Sequence, residues 1–115
     1  MNKIRLVVNN MSKRDEKQKF FIKKELQSIL NLYAKMVSNG SWKDYSFTSG
    51  IKEVSFNVYQ RASEKPVLRI LKNLKPKYFD EKYLIKDKDG AILKKSENLN
   101  QLISKTSWNK LKLIK

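Results

Sequence analysis

The chain has 115 residues, 40% of them hydrophobic and 10% aromatic, with only three Gly and two Pro. At roughly 100–200 residues per domain this is one domain with enough apolar content for a packed core, and the composition excludes a low-complexity or disordered chain. Lys and Arg total 26 against 11 Asp and Glu, a formal net charge of +15, and there is neither His nor Cys. That removes thiolate nucleophiles, imidazole bases, Ser-His-Asp triads, disulfides, and zinc or haem ligation by these side chains.

No run approaches the about eighteen apolar residues of a membrane span. Ile4-Arg5-Leu6-Val7-Val8 is too short and too interrupted for a secretory signal, so the expected compartment is the cytoplasm. The positive charge suits polyanionic partners: RNA, DNA or an anionic membrane surface. A second origin competes with that one. Only Arg5, Arg14, Arg61 and Arg69 are Arg, the other basic residues are Lys, and Ile and Asn are abundant. AT-rich codons supply Lys, Ile and Asn, so coding bias would raise the charge without any partner.

Residues 1–19 read as a basic arm, in which Lys13-Arg14-Asp15-Glu16-Lys17 alternates sign as a solvated segment does. From Ile22 the apolar residues Ile22, Leu26, Ile29, Leu30, Tyr33, Met36 and Val37 follow the spacing of one helix face, and Ser38-Asn39-Gly40 supplies the stop. Phe20-Phe21-Ile22 fits either a short strand entering the helix or its first turn. The period then changes to two: Val54, Phe56 and Val58 alternate with Ser55, Asn57 and Tyr59, and Val67 to Leu71 alternates again after Pro66. This predicts an antiparallel hairpin with Val54, Phe56, Val58, Leu68 and Ile70 inward, and with Asn57, Tyr59, Arg61 and Arg69 on an exposed face.

Tyr83–Lys86 and Ala91–Lys94 flank Asp89-Gly90, a second hairpin signal. Ser96 suits the N-cap of a short helix carrying Leu99, Leu102 and Ile103 on one face, and Trp108, Leu111 and Leu113 suggest a docked C-terminal segment. The order helix, four strands, helix gives an α+β domain over residues 20–115. It has one long N-terminal amphipathic helix packed on a small antiparallel sheet of two hairpins, and a short C-terminal helix.

Three pieces carry a resemblance: Ile29-Leu30-Asn31-Leu32-Tyr33-Ala34-Lys35-Met36-Val37, then Gly40-Ser41-Trp42-Lys43-Asp44-Tyr45, then Arg61-Ala62-Ser63-Glu64-Lys65-Pro66-Val67-Leu68-Arg69-Ile70. With Gly90–Lys94 and Lys110–Leu113 they resemble a family of short alphaproteobacterial proteins catalogued only as a domain of unknown function. The resemblance implies a cytoplasmic single domain, with no established activity or cofactor and no catalytic residues to carry over. The chain departs from the family pattern at Lys23-Lys24, where the family is more acidic, and the basic arm lies outside the resemblance.

Tyr59, Arg61 and Arg69 on one sheet face, with Lys65 at the turn, would form a platform on which an unpaired base stacks while the guanidinium planes hold phosphates. The plainer reading has Arg61 or Arg69 paired with Glu64, or the face covered by the helix or the arm. No Lys/Arg-Gly-aromatic signature of an RNA-recognition fold is present. Trp42, Asp44 and Tyr45, just past the helix stop, serve either as corner packing or as an interface. Asp87-Lys88-Asp89-Gly90 begins like a calcium loop, but its Gly is misplaced and Asn98 stands where a bidentate Glu is needed, so it reads as a turn. Gly40, Gly50 and Gly90 are too far apart for a phosphate-binding loop, and Asp80-Glu81 and Asp15-Glu16 read as solvated charge. The lysines beside the first helix would also suit a membrane surface, although burial against the strands explains its apolar stripe more simply.

The sequence therefore predicts a non-enzymatic module, without metal or cofactor, that binds RNA or DNA. Lys13, Arg14, Lys17, Tyr59, Arg61, Lys65 and Arg69 are the candidate contacts. The alternative is a protein-interaction adaptor that docks a partner through the hairpin edge, Trp42 or the C-terminal segment. A Tyr, a Lys and a carboxylate gathered in a pocket with perturbed titration would point to catalysis instead.

Overall fold

A computed structural model describes residues 20–61 and 65–108 of the chain. Helix α1 (Lys23–Ser38) leads into five strands, β1 (Asp44–Ser49), β2 (Glu53–Tyr59), β3 (Leu68–Asn73), β4 (Tyr83–Asp87) and β5 (Ile92–Ser96). A 3-10 turn at Phe79–Glu81 lies between β3 and β4, and helix α2 (Leu99–Lys105) follows β5. The strands form one antiparallel sheet in the order β1-β2-β3-β4-β5, a meander in which each strand pairs with its neighbours in sequence.

The α+β class, both helices and four of the strands follow the sequence pattern, while several features of the predicted architecture need correction. The sheet has five strands rather than two hairpins, because β1 and the β3–β4 pairing join everything into one ladder. Strand β1 carries only Tyr45 and Phe47 as large apolar residues; main-chain bonding to β2 and packing of those two rings form it, not a long alternating run. The N-terminal helix is of ordinary length at 16 residues. Phe20 and Phe21 precede it, Ile22 is its extended N-cap, and it ends at Asn39 followed by Gly40 at φ 83°.

The helix is also rotated relative to the predicted stripe. Its buried residues are Glu25, Ile29, Leu32 and Met36, whereas Ile22, Leu30 and Val37 stay about 40% exposed. Helix α1 therefore meets the sheet through a stripe that includes a carboxylate. Against it lie Val54, Phe56, Val58, Leu68, Ile70 and Ile85, all buried, with Leu99 and Leu102 of α2 completing the same core. Phe56 is fully buried at the centre of an aromatic group, with ring centroids 5.3 Å from Phe47, 5.5 Å from Tyr45 and 6.0 Å from Tyr33. Helix α2 starts later than predicted: Asn98, not Ser96, is its N-cap and accepts from Gln101 N at 3.0 Å, while Ser96 Oγ accepts from Asn98 N.

Charge at the core edge is consumed locally. Lys72 falls on the inward side of β3, in register with Val54 and Tyr83, and its ammonium donates to Glu25 Oε1 at 2.9 Å and to the Phe20 carbonyl at 3.0 Å. Tyr83 donates its hydroxyl to Glu25 Oε2, and Ile22 N–H donates to Glu25 Oε1 at 2.8 Å. The cluster ties the first turn of α1 to β3 and β4. Burial, then the hydrogen bond to Glu25 and the charge of that carboxylate, hold the Tyr83 hydroxyl far above the ordinary tyrosine value of 10.0.

Removing one partner leaves the other as a buried unpaired charge, so Lys72→Met is expected to cost about 3–5 kcal/mol in denaturant unfolding. Tyr83→Phe is expected to cost about 1–3 kcal/mol. The pH dependence has a definite sign. The native state keeps the Tyr83 proton after the unfolded chain has lost it, so this contribution is complete below about pH 10 and declines as pH rises further. Unfolding titrations of the wild type and Tyr83→Phe between pH 8 and 11 should show a shallower alkaline loss in the variant.

Candidate functional site

The sheet has a second face, opposite the one that α1 and α2 cover. Pairing aligns Ser46, Asn57, Arg69 and Lys86 across it in one row, and Thr48, Ser55, Leu71 and Leu84 in the next. The predicted parity therefore holds: Asn57, Tyr59 and Arg69 are on the face opposite Val54, Phe56 and Val58. The predicted exposure does not hold for Asn57, which is 4% exposed. Its amide donates to Ser46 Oγ at 3.1 Å and to Thr48 Oγ1 at 2.9 Å, and its oxygen accepts from Ser55 Oγ at 2.8 Å. Ser46 Oγ also bonds the Tyr59 hydroxyl at 3.0 Å. With Ser55, Leu71 and Leu84 buried as well, the middle of this face is closed to a ligand.

What stays accessible lies toward the end where β2 leaves for β3 and where β4 turns into β5. Arg69 is exposed and directly opposite Lys86, a residue that the sequence reading missed. Neither makes an ion pair among the described residues. Two like charges facing each other across a ladder are mutually destabilising. Tyr59 lies on the neighbouring strand, half-buried, and Arg61 and Lys65 are exposed on either side of positions 62–64, which are outside the described residues. Arg61 has interactions of its own. The topology thus brings Tyr59, Arg61, Lys65 and Arg69 to one end of the sheet. Lys13, Arg14 and Lys17 lie outside the described residues. Lys86 was legible as a position on β4 with the parity of Leu84, outward from Ile85; the signal was the strand register rather than any motif.

The β4–β5 end is shaped by its turn. Asp87 Oδ1 accepts from Asp89 N and Ala91 N, both at 2.9 Å, and Gly90 adopts φ 88°. The bend in register between Ile85 and Lys86 is a bulge that re-aims side chains at this end. Among the described residues no group of three His, Cys, Asp or Glu is placed to hold a metal ion.

Trp42 and Tyr45 sit on the helix-covered side, whereas the exposed Asp44 is in register with Tyr59 and has the parity of the second face. Trp42 is buried, with ring centroids 6.2 Å from Tyr33 and 5.8 Å from Trp108, and Asp44 Oδ1 accepts from Tyr45 N at 2.8 Å. Burial, with the charges of Asp44 and Tyr45, raises the Tyr33 hydroxyl above its ordinary value. A Tyr, a Lys and a carboxylate do come together, at Tyr83, Lys72 and Glu25. All three are buried and bonded to one another, and the raised Tyr83 hydroxyl stays protonated as a donor to Glu25. That is the chemistry of a clamp rather than of an acid–base pair poised near neutrality. Trp42→Ala is expected to destabilise the domain by about 3–5 kcal/mol in chemical unfolding, the magnitude of a core aromatic truncation.

No curated protein and no solved structure matches the chain. No helix among the described residues is long and apolar enough to cross a membrane. A family match spans residues 19–103, from the entry to α1 to the middle of α2, and so takes in the buried clamp, the closed face and the basic sheet end alike. The chain belongs to the family described as "Protein of unknown function (DUF2794)".

Proposed function

We propose that the chain is a cytoplasmic, non-enzymatic module that binds RNA or DNA through the β2–β3 end of the second sheet face. The supporting observation is the cross-strand pair Arg69 and Lys86, two cations in register without an ion-pair partner among the described residues. Phosphates bridging the two would turn a destabilising adjacency into a favourable one. Lys65 and Arg61 extend the positive surface along a nucleic-acid backbone, and the half-buried Tyr59 ring borders it. Because the Tyr59 hydroxyl is held by Ser46 and the face beside it is closed, recognition is mainly of phosphates, with little reading of bases. The adaptor reading draws on a different observation, the half-exposed stripe Ile22, Leu30 and Val37 on α1.

Fluorescence anisotropy with single-stranded RNA, duplex RNA and duplex DNA across a salt series tests the proposal. The Arg69→Ala/Lys86→Ala double variant is expected to bind more weakly to every polymer and to reduce the slope of log affinity against log salt by about 1.5, the loss of two phosphate contacts. Its stability should equal or exceed that of the wild type, since a repulsion is removed. Unchanged affinity and slope would remove this surface from the account. Variants at Ile22, Leu30 and Val37 that change partner capture but leave anisotropy unaltered would favour the adaptor.

A further inference from the structure

The three most exposed large apolar residues among those described are Ile51 at 89%, Phe79 at 80% and Tyr78 at 59%. All three occupy loops at the opposite end of the strands from Arg69 and Lys86. Ile51 tips the connection between β1 and β2, and Tyr78 and Phe79 lie in the connection between β3 and β4. Leu74 N–H donates to the Lys52 carbonyl at 2.9 Å, fastening the two loops together, and Asn73 N–H donates to the Lys82 carbonyl at 2.8 Å, closing the base of the second. The apolar tips are thus carried on held loops.

Lysines flank these tips in sequence. Lys52 follows Ile51, Lys75 and Lys77 precede Tyr78, and Lys82 ends the loop; all four are exposed and none makes an ion pair among the described residues. The Lys77 ammonium lies 6.0 Å from the centre of the Tyr78 ring. Two of the nearby acids, Asp80 and Glu81, approach Lys95 of β5 at 3.6 and 3.9 Å, while the exposed Glu53 follows Lys52, so the lysines outnumber the acids left without an ion pair among the described residues. The Glu25–Lys72 contact also brings the first turn of α1 to this end, with its exposed Lys23 and Lys24.

We propose that this end of the sheet is a peripheral docking surface for an anionic lipid bilayer. Ile51, Tyr78 and Phe79 enter the headgroup–acyl boundary while the flanking lysines meet lipid phosphates. Apolar tips flanked by lysines match both components of such a surface, burial of apolar area and attraction to anionic headgroups. Nucleic acid fits less well here, because the most exposed residue, Ile51, is aliphatic and offers no ring on which a base can stack. This surface is separate from the Arg69–Lys86 end, so either can fail alone.

The test uses the full chain with vesicles of phosphatidylcholine, alone or mixed with phosphatidylglycerol. The wild type is expected to co-sediment with the mixed vesicles at physiological salt and not with the neutral ones. Ile51→Ser/Phe79→Ser is expected to lower that partitioning on the order of tenfold to a hundredfold, since two apolar side chains no longer enter the interface. RNA binding and the unfolding midpoint should be unaltered. The chain has no Cys, so Ile51→Cys carrying an environment-sensitive fluorophore gives a readout independent of that double variant. Its emission should shift to the blue on mixed vesicles, while the same label at Lys88→Cys, on the far hairpin, should not move. Absence of binding to mixed vesicles, equal binding by the double variant, or equal shifts from both labels would overturn the proposal. Loss of RNA binding with vesicle binding intact would assign this end to nucleic acid instead.

Discussion

The rest of the structure hangs on one buried charge pair. Glu25 is the third residue of α1, and its carboxylate is spent in three directions: on the Ile22 N–H at its own helix start, on the Lys72 ammonium, and on the Tyr83 hydroxyl. The first bond satisfies a donor that a helix terminus otherwise leaves open. The other two fix the axial position and rotation of the helix over the sheet, since a carboxylate buried in this setting is tolerable only where these donors stand. Apolar packing alone would allow α1 to roll toward Ile22, Leu30 and Val37, which are as hydrophobic as the residues it buries. The carboxylate selects the stripe with Leu32 and Met36 and leaves the other half-exposed. Directional polar contacts here supply specificity that non-directional apolar burial lacks.

That constraint also explains which parts of the fold were legible in the sequence. Strands β2 and β3 announce themselves because their inward residues are aliphatic or aromatic and their neighbours polar, and Asp89-Gly90 marks its turn by a conformation that glycine takes without strain. The helix was visible as a period, but its rotation was not, because the residue that decides it is an acid and acids read as solvated. A positional signal was present: Glu25 stands four residues before Ile29, and Lys72 two after Ile70, so each continues an apolar series with a charged residue. A carboxylate and an ammonium that both fall on inward positions are candidates for each other. Strand β1 lacked such a signal, since an edge strand with one neighbour needs only backbone pairing and a few rings to stay in place.

The second face of the sheet shows the same division. Parity alone placed Asn57, Tyr59 and Arg69 together, and parity is a property of the backbone that sequence reveals. Whether a side chain on that face reaches solvent depends on partners from other strands. Asn57 is tolerated in a buried position because Ser46, Thr48 and Ser55 satisfy its amide, two of them contributed by β1. The partners that let Asn57 be buried thus come largely from the one strand that carries no alternating pattern. Lys86 went unnoticed for a related reason: it belongs to the site only through its register with Arg69, which no local spacing encodes.

Composition and position make different statements about the lysine excess. Coding bias raises the number of lysines but does not choose among solvent-exposed sites, and most exposed sites tolerate a lysine at little cost. Some positions here are costly. Lys86 faces Arg69 across a ladder, and Lys23 and Lys24 occupy the first turn of α1, where the helix dipole disfavours cations. At the same end of the sheet Lys52, Lys75, Lys77 and Lys82 flank the apolar tips in sequence, while Asp80 and Glu81 are drawn to Lys95 and Glu25 to Lys72. A stable fold has no need of these arrangements, and each becomes favourable once an anionic surface is brought against it. The basic character supports a functional reading through where the cations are placed, and their number adds little to it.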